Sequence, residues 1–536
     1  MKRRDFLKKV PVAGAVTIIG GQTLRAYASS PLVHALTAGL YDTDRVLVIV
    51  QLNGGNDGLN TIIPLDQYAN LKAVRENILM DENKILKLND KTGIHPAMAS
   101  FKELYSEGKL AIIQSVGYPN FNYSHFRATD IWVSGSDSDQ TLESGWAGRY
   151  LNYEYPNFPV GFPNTTMPDP LAIRVGDNAG LGLQNMGVNM GISINNATDQ
   201  VNLTGNIFKD NPGSGYLAKE LSYIREVQRQ ADKFGDVIQT AYNKATTLST
   251  KYPKDAANGV PADPGANLGN QLKLVARLIS GGLKTRIFWV SAGGFDTHSD
   301  QVDTADKTLG NHATLLKGVS DAIYGFVDDI KLMGLENRMV GFTFSEFGRR
   351  IRSNASDGTD HGSALPMFVF GTKIKAGIIG DNPIIDRNAT PDSNLPMQYD
   401  FRSIYASVLG DWFCVPEDDL EQVLLKNFQK LPIISDGNCI PTDVHETNNA
   451  AGENMVDPYP NPFMYMTTID YATKGGHTMV QVFNNSGNLL KTLVNQELTE
   501  GSYKVTCNME EYPAGIYYVR LQNKVIQQVK PLFKVN

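Results

Sequence analysis

Through the body of the chain, uninterrupted apolar runs alternate with amphipathic stretches. Val46-Leu47-Val48-Ile49-Val50-Gln51-Leu52, entered from Arg45, is almost wholly apolar and rich in β-branched residues. A strand without polar alternation is one buried on both faces. Leu110 to Val116, Arg286 to Ser291, Met339 to Phe344 and Pro366 to Phe370 repeat the pattern. Between them the period changes. From Leu217 to Leu248, apolar residues fall at 217, 221, 224, 227, 231, 234, 238, 241, 245 and 248, the spacing of one long amphipathic helix. Leu268 to Ile279, Leu309 to Met333 and Phe401 to Phe413 predict further helices. Strands alternating with helices predict an α/β domain on a doubly wound, mainly parallel sheet.

The two ends differ in texture. Lys2-Arg3-Arg4-Asp5-Phe6-Leu7-Lys8 precedes a mild apolar stretch from Val10 to Gly21 and then Ala26-Tyr27-Ala28. Basic start, short apolar region and small-x-small site form a signal-peptide pattern over residues 1–28. Its paired arginines resemble the twin-arginine export signal, which implies the twin-arginine translocase as a partner and export of folded protein. At the other end, residues 438–457 have a polar linker composition, and 458–536 carry short alternating runs broken by Gly/Asn turns. That pattern predicts a small antiparallel β-sandwich. Tyr459-Pro460-Asn461-Pro462-Phe463, Gly487-Asn488 and Gly515-Ile516-Tyr517-Tyr518-Val519 resemble the type A sorting domain of the type IX secretion system of Bacteroidetes. The resemblance implies that secretion machinery as a partner and a place outside the cell or on its surface. The α/β domain then spans 42–437.

Composition narrows the partners. The net charge of −7 over 536 residues, with no Lys/Arg-rich run, excludes nucleic acid as the main partner. Three cysteines, Cys414, Cys439 and Cys507, make neither a disulfide framework nor a zinc knuckle. No run of about 20 apolar residues predicts a transmembrane segment in the mature protein.

Polar clusters follow the predicted strands, where open α/β sheets bind ligands. After the first comes Asn53-Gly54-Gly55-Asn56-Asp57-Gly58, with Asp57 a candidate metal ligand, though an Asn/Gly-rich turn reads equally well. After the second comes Asn122-Tyr123-Ser124-His125-Phe126-Arg127, with Ser124 as candidate nucleophile and His125 as candidate acid. After the third, Phe295-Asp296-Thr297-His298 sets a carboxylate and an imidazole two apart in a Gly-bounded turn, donors that suit zinc or a similar cation. Around the next strand lie Ser345-Glu346-Phe347-Gly348-Arg349 and Asp357-Gly358-Thr359-Asp360-His361-Gly362. Arg349 offers a fork for phosphate or sulfate. Three of the 8 histidines fall in these clusters.

In this order, and with Gly145-Trp146 between them, the segments resemble the bacterial family called domain of unknown function 1501 over roughly residues 42 to 415. The family is grouped with the alkaline phosphatase and sulfatase superfamily, which implies an alkaline phosphatase-like fold and hydrolysis of sulfate or phosphate esters at one or two metals. The resemblance implies Asp57, Asp296, His298, Glu346 and His361 as ligands of a divalent metal, zinc or calcium. Ser124 falls near the nucleophile. Glu346 stands where Asp is usual, and Phe347 replaces the histidine that normally follows it, so one metal, or binding without turnover, stays open.

The chemistry expected is metal-assisted attack by Ser124 or water, with Arg349 and the Gly54-Gly55 amides facing the developing charge and His125 protonating the leaving group. The substrate would be an anionic ester or polysaccharide. The competing expectation is a non-catalytic surface binding protein on a degenerate hydrolase fold. A third, glycoside hydrolysis, needs two carboxylates about 5–10 Å apart in a cleft.

Overall fold

The computed structural model describes residues 44–156, 158–159, 161–164, 167–176, 180–196, 234–435, 455, 458–484, 489–523 and 527–535, together with 16–19 and 22–25. The signal peptide expected over 1–28 and the linker expected over 438–457 lie mostly outside these residues. Near the start of the chain, Val16–Ile19 pairs antiparallel with Gln22–Arg25. Of the helix expected from Leu217 to Leu248, residues 234–248 are described: 234–244 are helical and 245–248 are not.

The body, Asp44–Gly437, is one compact unit. Its strands are β1 (Val46–Leu52), β2 (Leu110–Gly117), β3 (Ala172–Val175), β4 (Ile192–Ile194), β5 (Ile287–Ala292), β6 (Met339–Ser345), β7 (Leu365–Gly371), β8 (Gly377–Ile379) and β9 (Tyr399–Asp400). The main helices are α1 (His125–Ser134), α2 (Trp146–Glu154), α3 (Ala266–Ser280), α4 (Asn311–Leu332) and α5 (Phe401–Ser407). The nine strands form one sheet in the order β4-β3-β5-β1-β6-β7-β2-β8, with β9 beside β2. The pairs from β4 through β6 are parallel, and β7 alone runs antiparallel to both its neighbours. The sheet is therefore mainly parallel, as the apolar runs predict.

Burial on both faces explains the unbroken apolar strands. Leu47 and Ile49 of β1 join one core cluster with Trp132, Trp146, Trp289, Phe342 and Tyr405. Val46, Val48 and Val50 point the other way, into a second cluster with Leu272, Val275, Phe288, Ile323 and Phe326. Successive side chains of a strand face opposite sides, so each residue of β1 serves one layer. Helices α1, α2 and α5 cover the first face, and α3 and α4 the second.

The register decides where the site falls. Because β7 is antiparallel, its amino end lies at the same edge as the carboxyl ends of β1, β5, β6 and β2. The loops after those four strands and the loop entering β7 thus share one edge of the sheet.

The C-terminal residues belong to a separate unit. There β10 (Met466–Asn484), β11 (Leu489–Asn508), β12 (Gly515–Gln522) and β13 (Gln527–Lys534) form an antiparallel sheet in the order β11-β10-β12-β13. Gly475 and Gly476, both with φ +100°, lie within β10. Ile469 and Tyr471 before them, and Val480 and Val482 after them, line one core with Val519 and Leu532. Cys507 is a buried free thiol there, whereas Cys414 in the body is disulfide-bonded.

Candidate metal centre

Three loops from the shared edge bring three histidines around one carboxylate. Asp296 follows β5 by a short Gly-bounded turn, and its Oδ1 lies 3.2 Å from both His298 Nε2 and His361 Nε2. The two imidazole nitrogens are 2.9 Å apart. On the other side of the carboxylate, His125 Nε2 lies 3.4 Å from Asp296 Oδ2. His125, Asp296 and His361 each offer a ligand atom within 4.8 Å of the others.

The far nitrogen of each ring is held from behind. His125 Nδ1 meets Glu346 Oε1 at 2.7 Å, His298 Nδ1 meets Asp360 Oδ1 at 3.2 Å, and His361 Nδ1 meets the Tyr123 carbonyl at 2.8 Å. Carbonyl and carboxylate oxygens accept only, so each Nδ1 carries a proton, and a ring whose Nε2 is unprotonated turns that lone pair inward. Two lone pairs 2.9 Å apart, both beside a carboxylate oxygen, repel unless a cation lies between them. Donors around an ion at about 2.0–2.1 Å are themselves roughly 3 Å apart. Spacing and tautomers therefore fit a small divalent ion on Asp296, His298 and His361.

Electrostatics agree. Burial works against the Asp296 charge, but Arg349 and the facing imidazoles of His361 and His298 outweigh it and hold the carboxyl at about 2. Burial lowers His361, against the pull of Asp296 and the Tyr123 carbonyl. Asp360 is likewise lowered, as Asn354 and His298 outweigh its desolvation. The side chains of Asp296 and His298 remain 47% and 44% exposed, which leaves the centre open to a ligand.

The other expected site residues fall elsewhere. Asp57 does not join the cluster: Arg75 Nη1 lies 3.0 Å from each of its oxygens, and Gln301 Nε2 donates to Oδ2 at 2.7 Å. Glu346 is buried and sits behind His125, accepting also from the Gly54 N–H at 2.8 Å. It supports a histidine and is not brought against the trio. Ser124 begins α1 with an exposed side chain that makes no hydrogen bond to the imidazoles. Arg349 is buried and donates to the carbonyls of Gly54, Gly55, Phe295 and Thr359 and to Asp296 Oδ1 at 2.8 Å. It braces the ligand loops from a fully buried position, away from any substrate anion. Phe347 is buried, its ring centroid 4.9 Å from His125 and 4.5 Å from His361, an apolar wall under the imidazoles.

Close approach dictates the glycines. Gly54 has φ +123°, and a Cβ there would fall 2.4 Å from the Asp296 backbone nitrogen. A Cβ on Gly358 would fall 2.3 Å from the His298 carbonyl oxygen. Sequence reasoning passed over Gln301, Arg75 and the carbonyl of Tyr123, because an amide, an arginine and a backbone group carry no ligand signature.

Solved structures show distant likenesses. A chain from work on glycosaminoglycan metabolism by Bacteroides thetaiotaomicron is 10% identical, covers 84% of this chain and 89% of its own, and has a TM-score of 0.33. A sulfatase from Pseudoalteromonas sp. is 9% identical over 88% and 86%, with a TM-score of 0.34. An alkaline phosphatase from the Antarctic bacterium TAB5 is 11% identical over 64% and 97%, with a TM-score of 0.23. Overlaps this low carry no inference about activity. No curated protein matches the chain in sequence. Residues 458–534 match the secretion system C-terminal sorting domain, which makes this a secreted or outer-surface protein. Among the described residues no helix is long and apolar enough to cross a membrane. Residues 44–424 match the family described as protein of unknown function (DUF1501), and the chain belongs to it.

Proposed function

We propose that the body is a metal-dependent hydrolase of sulfuric or phosphoric esters, acting outside the cell. The observation that carries the metal is the inward-facing set Asp296, His298 and His361, each imidazole fixed by an outer acceptor. The ester class is supported by the motif order that resembles the alkaline phosphatase and sulfatase superfamily. A divalent ion held there supplies Lewis acidity toward an ester oxygen.

The chain's own groups do the rest. His125 presents Nε2 beside Asp296, and the buried Glu346 carboxylate fixes its Nδ1–H at 2.7 Å. A carboxylate-oriented imidazole of this kind takes a proton from an attacking water and returns it to the leaving oxygen. Water is the nucleophile in this reading, because Ser124 faces solvent. Asp296 is held in place by Arg349, so the ligand carboxylate is already ordered before substrate arrives.

The buried fork of Arg349 and the exposed Ser124 favour a second reading, a metal-bearing surface protein that binds without turnover. One experiment separates the two. The purified chain is assayed for bound metal and for turnover of aryl sulfates and aryl phosphates. Hydrolysis that falls about 10²- to 10⁴-fold in His125→Ala, with metal content unchanged, supports the hydrolase. Stoichiometric metal with no turnover leaves the binding protein, and absence of metal ends both.

A further inference from the structure

Behind the imidazoles, the loops that carry the ligands are tied together at a single buried amide. Gln301 is fully buried. Its Oε1 accepts from Thr297 Oγ1 at 3.0 Å and from Thr359 Oγ1 at 2.8 Å, and its Nε2 donates to Asp57 Oδ2 at 2.7 Å. Thr297 lies between Asp296 and His298. Thr359 precedes Asp360, which holds His298, and His361. The Thr359 N–H also donates to the Thr297 carbonyl at 3.2 Å. Through Asp57 the tie reaches Arg75, whose guanidinium donates to the Ile351 carbonyl at 2.8 and 2.9 Å and to that of Arg350 at 2.7 Å. The loops after β1, β5 and β6 are thereby connected through one side chain.

Resting on the metal reading above, we infer that Gln301 is the positioning residue of the centre: it sets the separation of Asp296 and His298 from His361. The polar atoms of its amide are all occupied by groups from other segments or by Thr297, and two of the three lead directly to ligand-bearing turns. A buried hydroxyl left without its acceptor is destabilising, so the loops keep this spacing even without an ion. Asp57, whose burial is outweighed by Arg75, His312 and Gln301 so that it stays charged, anchors the amide by accepting from it. The role of Asp57 is to orient Gln301 from outside the ligand set.

The test uses the full chain and cobalt(II) as probe. Wild type, Gln301→Met, Thr359→Val and Thr359→Ser are titrated with cobalt(II) against a competing chelator, and the unfolding midpoint of each metal-free protein is measured alongside. The expected result is affinity about tenfold weaker or more in Gln301→Met and Thr359→Val, with altered d–d absorption of the loaded protein. Thr359→Ser, which keeps the hydroxyl, returns to wild-type affinity. A purely structural residue would lower the midpoint and leave affinity unchanged. Affinity within twofold of wild type in folded Thr359→Val overturns the inference, and that variant decides alone should Gln301→Met not fold. Failure of the wild type to bind cobalt(II) is a different outcome: it removes the metal reading, and this inference with it.

Discussion

His298 Nε2 lies 2.9 Å from His361 Nε2, across 63 positions of chain. One follows β5 and the other precedes β7. They meet because β7 is the strand that reverses direction, which puts its entry loop at the edge where the parallel strands end.

Two electron pairs held that close make stability depend on metal. Adding zinc at about 100 times its dissociation constant is expected to raise unfolding stability by about 2.7 kcal/mol. His298→Ala and His361→Ala should each abolish that gain. Neither should much change the metal-free protein, because both rings are partly exposed. Differential scanning calorimetry with and without chelator reads both quantities, and a metal-dependent gain surviving in either variant contradicts the ligand assignment.

Arg349 is expected to matter for folding more than for substrate. Lysine cannot reproduce a fork that satisfies four carbonyls and Asp296. Arg349→Lys should cost about 3–5 kcal/mol in urea unfolding. A loss below about 1 kcal/mol, with a selective rise in KM, would show instead that the guanidinium serves the substrate.

Gly54→Ala should do more damage than a lost backbone freedom alone. The positive φ costs about 1–3 kcal/mol for a side-chain-bearing residue, and the new methyl would press on the Asp296 backbone at 2.4 Å. We expect at least about 2 kcal/mol of destabilisation together with weakened metal binding. A folded Gly54→Ala protein with wild-type metal affinity would refute the packing argument.

Acid should act through His312. This ring is buried, its Nε2–H donates to Asn56 Oδ1 at 2.9 Å, and its Nδ1 has no partner. Burial, then Arg349 and Arg75, push it down from 6.5 to about 4 against the pull of Asp57. Between those values the unfolded chain binds a proton that the folded one refuses. Stability therefore falls as pH drops through that window and is indifferent to this group above it. Between pH 7 and pH 5 the loss is about 2 kcal/mol. His95, lowered to about 3 by burial and by His312, adds in the same direction. His312→Gln should flatten the urea-midpoint change by that amount, and an unaltered slope would exclude His312.

Much of the fold was legible because double-sided burial leaves a plain mark. β1, β2, β5, β6 and β7 each lie within one or two residues of their apolar runs. β3 and β4 were not read, since four and three residues at a sheet border carry too little pattern inside an Asn- and Gly-rich segment. α1 and α2 were missed for another reason: Trp132, Trp146 and Tyr150 pack into the core, but polar residues break up both short helices.

At the site, the histidine and carboxylate clusters marked the right loops, and side-chain reach decided the roles. Asp57 and Glu346 have ligand chemistry, yet Arg75 and Gln301 occupy one and His125 the other. Arg349 has an anion's fork, yet it is buried against backbone carbonyls. Gln301 carried no signal, because an amide becomes informative only when its partners are known.

The sequence by itself determined the strand–helix alternation, the loops that bear chemistry, the sorting tail and the family, since each is written in local pattern or motif. Only the tertiary structure decided which nitrogen faces which oxygen. That choice depends on the antiparallel turn of β7 and on contacts a few ångströms long between residues up to hundreds of positions apart, which no local spacing records.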